Sequence, residues 1–256
     1  MHIPRKRFGQ HFLRDKLVIQ HLVEVIQPDT HQHLVEIGPG YGALTLPILK
    51  KSGKIDVVEL DRDLVPLLKN RCEGKGIMNI YNADALEFDF SMLRTSLEPL
   101  RLIGNLPYNI STPLIFHLLT FAEHIQDMHF MLQKEVVDRM VAKCGDDAYG
   151  RLSIMVQYHC ATTALFDVPP EAFDPPPKVF SSIVKLVPYK KLPFISQNYS
   201  RFSQLVKEAF SHRRKTLRNS LKKLISDDMW KKISIDTHKR PEELSVEEYV
   251  YLSNLI

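Results

Sequence analysis

The sequence predicts an α/β protein: a doubly wound, Rossmann-like parallel sheet with an antiparallel pair at one edge, followed by a small all-helical domain. Three observations lead there. Apolar runs of strand length alternate with helical segments as far as about Tyr189, the first run ends in the glycine loop "EIGPGYGALT", and beyond Pro193 only helical spacing remains. The expected domains are therefore residues 1–190, with a basic N-terminal arm, and residues 191–256.

The elements follow in order. After the arm, "DKLVIQHLVEVI" places Leu17, Ile19, Leu22, Val23 and Ile26 at helical spacing and stops at Pro28. Strand and helix then alternate: "HLVEIG" with "ALTLPILKK", "KIDVVEL" with "DLVPLLKNRC", "GIMNIYNA" with a short acidic connection, and "LRLIGNL" with "STPLIFHLLTFA". "MHFMLQ" is followed by "KEVVDRMVAK". Such alternation implies right-handed crossovers and a sheet covered on both faces. "ATTALFDV" and "SSIVKLVPY" are separated only by "PPEAFDPPPK", so they are expected to pair antiparallel at an edge. Helices are expected at about 200–211, 215–225 and from Ser245, where Ser245 and Glu248 stand at capping-box spacing.

Composition excludes several classes of protein. With 256 residues, 44% hydrophobic and 25% charged, the chain has the material for a large core and no sign of wholesale disorder. No apolar stretch approaches the roughly 20 residues of a membrane helix, and the basic start lacks the apolar segment of a secretory signal. Three cysteines without C-x-x-C spacing, and histidines without a ligand pattern, argue for a reducing, cytoplasmic setting and no metal. Charge is concentrated: residues 201–223 carry eight Lys or Arg against Glu208, and the first 16 residues carry five against Asp15. Two separated basic stretches fit a polyanionic partner.

Gly38, Gly40 and Gly42 sit where the first strand turns into its helix, and allow a tight turn with close backbone approach to a ligand. The loop also satisfies the dinucleotide fingerprint, so alone it leaves a nicotinamide enzyme open. Glu36 tilts the balance, because a carboxylate there repels a pyrophosphate and favours the ammonium and sulfonium of S-adenosyl-L-methionine. Glu59, at the next strand end, can accept from both ribose hydroxyls, and Asp84 in "YNADAL" can accept from an adenine amino group.

The fourth strand leaves through "IGNLPYNIS". Asn105 offers a carbonyl acceptor, Pro107 holds Leu106 extended, and Tyr108 supplies a flat face. Acceptors beside an aromatic ring suit a planar base carrying an exocyclic amine. An adenine amine is a poor nucleophile because its lone pair is delocalised into the ring. Two acceptors that draw its N–H bonds out of plane restore nucleophilicity without a strong base.

The ordered set "RKRFGQHFL", "EIGPGYGALT", "VVELDRDL", "NADAL", "IGNLPYNIS", "YGRLSIMVQY", "FDPPPKVFSS" and "HRRKTLRNSL" resembles the rRNA adenine N6,N6-dimethyltransferase family over nearly the whole chain, and its bacterial small-subunit branch most closely. The resemblance implies a class I methyltransferase fold using S-adenosyl-L-methionine. It implies that His11, Leu13, Gly38, Gly40, Glu59, Asp84 and Asn105 bind cofactor, and that Asn105 and the Leu106 carbonyl, with Pro107, engage the target amine. Tyr108 and Phe173 would sandwich the flipped adenine, and the small Gly104 would leave room for the second methyl. Many relatives have Asn where this chain has His11, which shifts that contact to backbone groups. The implied substrate is a pair of adjacent adenosines in a hairpin loop near the 3' end of 16S rRNA, within the small ribosomal subunit or its precursor, modified by a monomer. Arg5, Lys6 and Arg7 of the arm, with Arg213, Arg214, Lys215, Arg218 and Lys222, would bind RNA; Arg214, Arg218 and Lys222 fall at i, i+4 spacing on one helix face. Alternatives from this reading are large-subunit rRNA or DNA as target, and an assembly factor in which catalysis is secondary.

Overall fold

The computed structural model describes residues 10–94, 98–212 and 215–256. Its strands are β1 (Phe12–Leu13), β2 (His33–Ile37), β3 (Lys54–Val58), β4 (Ile77–Tyr81), β5 (Leu100–Asn105), β6 (Ile125–Gln133), β7 (Cys160–Val168), β8 (Phe173–Asp174) and β9 (Ser181–Pro188). The helices are α1 (Lys16–Ile26), α2 (Thr45–Ser52), α3 (Leu64–Cys72), α4 (Ser111–Leu119), α5 (Lys134–Val141), α6 (Arg151–His159), α7 (Tyr199–Ser211), α8 (Leu217–Ser220), α9 (Asp227–Trp230) and α10 (Val246–Leu255). None among the described residues is long and apolar enough to cross a membrane.

Seven strands form one sheet in the order β4-β3-β2-β5-β6-β9-β7. The first five are parallel, and β9 joins β6 antiparallel. At the β9–β7 edge Ser182 Oγ bonds the Phe166 carbonyl and the Tyr189 N–H bonds the His159 carbonyl. Residue numbers rise on one strand as they fall on the other, so the expected antiparallel edge pair is present. The chain runs outward from β2 through β3 to β4, then returns to place β5 on the other side of β2. That reversal opens a crevice beyond the carboxyl ends of β2 and β5, where open α/β sheets bind ligands.

Helix α1 shows how local chemistry sets an element. Asp15 accepts from the N–H groups of Leu17 and Val18, Leu22, Val23 and Ile26 are buried, and Gln27 ends the helix in a left-handed conformation at φ 50° before Pro28. Its buried face belongs to one apolar cluster with Leu34, Val57, Ile103, Met131 and Ile183 from the sheet.

Three features depart from the sequence reading. The helix expected at 215–225 is confined to α8, followed by turns and the separate α9, whose cap is Ser226. Leu217, Leu221 and Ile225 are still buried, so packing, and backbone bonds from the Leu217 and Arg218 N–H groups to Lys239 and Thr237, override local propensity. Helix α6 was not expected as a helix: Leu152, Ile154, Met155, Val156 and Tyr158 are buried all round it, so no amphipathic period marks it. The two-residue strands β1 and β8, paired antiparallel, are too short to leave a pattern.

By packing the chain forms two compact units. One holds the described residues up to Val137 with Thr163–Pro188; the other holds Asp138–Thr162 with Tyr189–Ile256. The segment 138–162, placed in the first domain from sequence, thus groups with the C-terminal helices. That second unit is built around Tyr158, Phe202 and Tyr249, with α7 against α6, α8 and α10.

Candidate active site

A cavity of about 220 Å³ lies within the first unit, at the carboxyl end of the sheet. Its walls include His11, Phe12 and Leu13 of the arm, the 38–41 turn, Glu36, Glu59, Asp84, residues 104–110, His129 and Met131. Gly40 has φ +56°, and a Cβ there would lie 3.0 Å from the Phe12 ring, so only glycine lets the arm close over the turn. Gly104 also lines the cavity, and a Cβ there would meet the Ile37 carbonyl at 2.5 Å, so its absence permits β5 to approach the end of β2.

The three acids differ in their surroundings. Glu36 is 2% exposed, and its Oε2 has no hydrogen-bond partner. Burial pushes its carboxyl up to about 8, with the neighbouring Thr45 hydroxyl opposing and Glu59 reinforcing the shift. Glu59 accepts from the Gly40 N–H through Oε2 (3.0 Å) and the Asp61 N–H through Oε1 (2.8 Å). Burial raises its carboxyl above the usual range, and those donors pull it back. Each of its oxygens is thereby aimed, with lone-pair capacity left for a hydroxyl. Asp84 accepts from the Leu86 N–H at 2.9 Å through Oδ1 and lines the cavity.

At the corner after β5, the Asn105 amide donates to the His11 carbonyl at 2.8 Å. This bond fixes which end of the amide is which, and leaves Oδ1 as an acceptor with no partner among the described residues. The contact uses the backbone of residue 11, so it does not depend on that side chain. The His11 ring instead donates from Nδ1 to the Pro175 carbonyl at 2.7 Å and stacks on Tyr108 at 5.6 Å between centroids. The Leu106 N–H is held by the Met131 carbonyl at 3.2 Å, and the Tyr108 hydroxyl shares a 2.7 Å hydrogen bond with Ser181.

Every expected cofactor and corner residue therefore lines the cavity. Phe173 does not. Its ring is fully buried in the apolar cluster, and its backbone pairs with Leu13. In this arrangement it supports the arm and presents no face for stacking. Sequence reading missed His129, which lines the cavity at 3% exposure with both ring nitrogens unbonded; burial lowers its pKa to about 4 and keeps it neutral. The one signal was a histidine inside an apolar strand.

The expected RNA contacts are less well assembled. Arg5, Lys6, Arg7, Arg213 and Arg214 lie outside the described residues. Lys215 and Lys222 are exposed, but Arg218 pairs with Asp227 at 2.7 Å, and the short α8 does not extend to Lys222. Among the described residues, therefore, Arg218 and Lys222 do not share one helix.

The sheet order, the crevice at its reversal, and an acid at each of three successive strand ends define a Rossmann-like methyltransferase. The chain belongs to the ribosomal RNA adenine dimethylase family, whose profile matches residues 1–256, and it is an enzyme. It is 54% identical over 255 residues to Ribosomal RNA small subunit methyltransferase A of Hahella chejuensis, covering 100% of this chain and 93% of that one. It is 52% identical over 252 residues to the protein of the same name in Coxiella burnetii RSA 493, covering 98% and 97%. Among solved structures, a dimethyladenosine transferase from Plasmodium falciparum superposes with a TM-score of 0.78 at 26% identity, over 94% of this chain and 96% of that one. The 23S rRNA methyltransferase ErmE shares the fold, with a TM-score of 0.75 at 21% identity over 95% and 98%.

Proposed function

We propose that the protein uses S-adenosyl-L-methionine to dimethylate N6 of two adjacent adenosines in the 3'-terminal hairpin loop of 16S rRNA, within the small ribosomal subunit or its precursor. It would act in the cytoplasm, as a monomer, during small-subunit biogenesis. The observation that carries the reading is the Asn105 amide, tied by its nitrogen to the His11 carbonyl so that its oxygen stays available. The relatives named as small-subunit methyltransferases support this target over large-subunit rRNA or DNA.

The residues fit the cofactor. Glu36 presents a buried, unbonded carboxyl oxygen, the natural seat of an ammonium. Glu59 presents two oriented oxygens to a ribose, Asp84 an acceptor to adenine, and the 38–41 turn a surface without side-chain obstruction. Leu13 and the His11 backbone close the site from the arm. When bound, the cofactor supplies an electrophilic methyl on a sulfonium.

The chain then acts on the other reactant. The target adenosine must leave its stack to enter the cavity. Tyr108, its hydroxyl anchored to Ser181, offers the extruded base a flat face. Asn105 Oδ1 and the Leu106 carbonyl accept from the two N–H groups of the amine, which localises the nitrogen lone pair, and Pro107 keeps that backbone extended. After the first transfer one N–H remains, so a single acceptor suffices for the second. Phe173 enters only by holding the arm in place. Lys215 and Lys222 would neutralise phosphates, with a salt-dependent contribution to binding.

The test is transfer of labelled methyl groups to undermethylated small subunits, large subunits and DNA in parallel. Dimethyladenosine formed in small subunits alone is the expected result. Labelling of large subunits or DNA in their place, or none of small subunits, would overturn it.

A further inference from the structure

The segment joining β8 to β9, with the first residue of β9, is tethered at three points. His11 Nδ1 donates to the Pro175 carbonyl at 2.7 Å, the Lys134 N–H donates to the Phe180 carbonyl at 2.9 Å, and Ser181 Oγ bonds the Tyr108 hydroxyl at 2.7 Å. Two of the three partners, His11 and Tyr108, line the cavity itself. Between the tethers Lys178 is exposed, Val179 is 44% exposed and Phe180 is 51% exposed.

A lone exposed aromatic on a surface needs no explanation. This one differs in its setting. Its own carbonyl is bonded, so the ring stands on a fixed backbone, and the next residue, Ser181, bonds Tyr108 of the cavity wall. An ammonium stands two residues before it. A flat apolar face and a cation two residues apart, both exposed on preordered backbone, match a nucleotide: the base stacks and the phosphate meets the charge. Preordering lowers the entropy lost on binding.

We propose that Phe180 is a specificity residue that stacks on an unpaired base flanking the target adenosine, while Lys178 takes that nucleotide's phosphate. The inference rests on the proposed methylation of rRNA and deepens it: the substrate is recognised as a locally single-stranded loop, at a second base beside the one in the cavity. Bases stacked on both faces inside a duplex or hairpin stem would leave Phe180 without a partner.

The experiment compares Phe180→Ala, Phe180→Leu, Phe180→Tyr and Lys178→Met with the unaltered chain, using undermethylated small subunits. Thermal midpoint and affinity for S-adenosylhomocysteine are measured on each variant to establish intact folding and an intact cavity. KM for small subunits is expected to rise about 5- to 150-fold in Phe180→Ala, as alanine replacement of a stacked aromatic does. Phe180→Tyr should restore it and Phe180→Leu should not. Lys178→Met should raise KM mainly at low salt. An unchanged KM in Phe180→Ala, or full activity in Phe180→Leu, overturns the inference while the unaltered enzyme still methylates small subunits. If the unaltered enzyme does not methylate them, the proposed function fails first. As a second readout, Phe180→Trp should show fluorescence quenching on titration with a single-stranded oligoribonucleotide and none with the matching duplex; equal quenching by both overturns single-strand stacking.

Discussion

Asp56 and Asp127, in the amino half of the sheet, and Glu36, near its carboxyl end, are opposites. Asp56 is 3% exposed and uses both oxygens, one on His33 Nε2 at 2.7 Å and one on Asn79 at 2.7 Å. Asp127 is held by Arg101 through Nε at 2.9 Å and Nη2 at 3.0 Å. Glu36 is as deeply buried as either, yet one of its oxygens bonds nothing. A buried carboxylate costs several kcal/mol unless it is paired. The fold supplies the partners at one end of the sheet, and at the other it leaves the position open for a ligand. Burial alone therefore does not distinguish Glu36 from Asp56 and Asp127; the inventory of partners does.

Removing Asp127 should break the structural half of this contrast with the largest effect. Asp127→Ala leaves the Arg101 guanidinium buried without its counter-charge, at a cost of about 3–5 kcal/mol. Urea denaturation should show the loss, while S-adenosylhomocysteine affinity of the folded protein stays unchanged. A variant of normal stability and impaired affinity would contradict the division.

Asn105→Ala is expected to do the reverse. Turnover should fall about 100- to 1000-fold, close to 3 kcal/mol by analogy with the loss of a group that stabilises a transition state. Stability should change by no more than about 1 kcal/mol, the net worth of its bond to the His11 carbonyl. Single-turnover kinetics with saturating cofactor separate the two contributions. A rise in KM alone, with turnover intact, would reduce Asn105 to a tether for the arm.

Glu36 predicts two pH dependences of opposite sign. Its carboxyl titrates at about 8 in the folded, ligand-free protein against a reference value of 4.5. The folded state therefore holds a proton that the unfolded state releases, and the contribution to stability is full below about 4.5 and lost as pH rises through 8. A ligand ammonium prefers the ionised carboxylate, so S-adenosylhomocysteine affinity should rise over the same approach to pH 8. Glu36→Gln should flatten both profiles and weaken binding at pH 8 by about 1.5–3 kcal/mol, the range of a charge-assisted hydrogen bond. Calorimetry across pH 6 to 8.5 measures it, and parallel profiles in both proteins would assign the proton to another group.

Much of this contrast was readable in the sequence, and the missing parts have physical causes. Strand ends announce themselves, because an apolar run closing on an acid or an amide places that group at the sheet edge; Glu36, Glu59, Asp84 and Asn105 were found in this way. Strand pairing over long distances leaves no local mark. Nothing near Phe173 reveals that Leu13, far away in sequence, pairs with it and that its ring is buried in the core. His129 was passed over for a related reason, since alternation puts it on a face without saying what covers that face. The all-round burial of α6 erased its period, and the replacement of one basic helix at 215–225 by α8 and turns depends on partners at 237–239.

That shortened helix gives the smallest effect and the sharpest question about RNA binding. Arg218 and Asp227 are both largely exposed, at 53% and 75%, so their 2.7 Å pair is worth no more than about 1 kcal/mol and Arg218→Ala should barely move the urea midpoint. Its consequence for the substrate is separable from stability. If Arg218 contacts phosphate, it must leave Asp227 to do so, and the acid competes with the RNA for the same guanidinium. Asp227→Asn should then tighten small-subunit binding at low salt, and Arg218→Ala should reduce the slope of log affinity against log salt by about one counterion. Equal slopes in the unaltered protein and both variants would confine Arg218 to the surface ion pair, and leave phosphate neutralisation to the exposed lysines on either side.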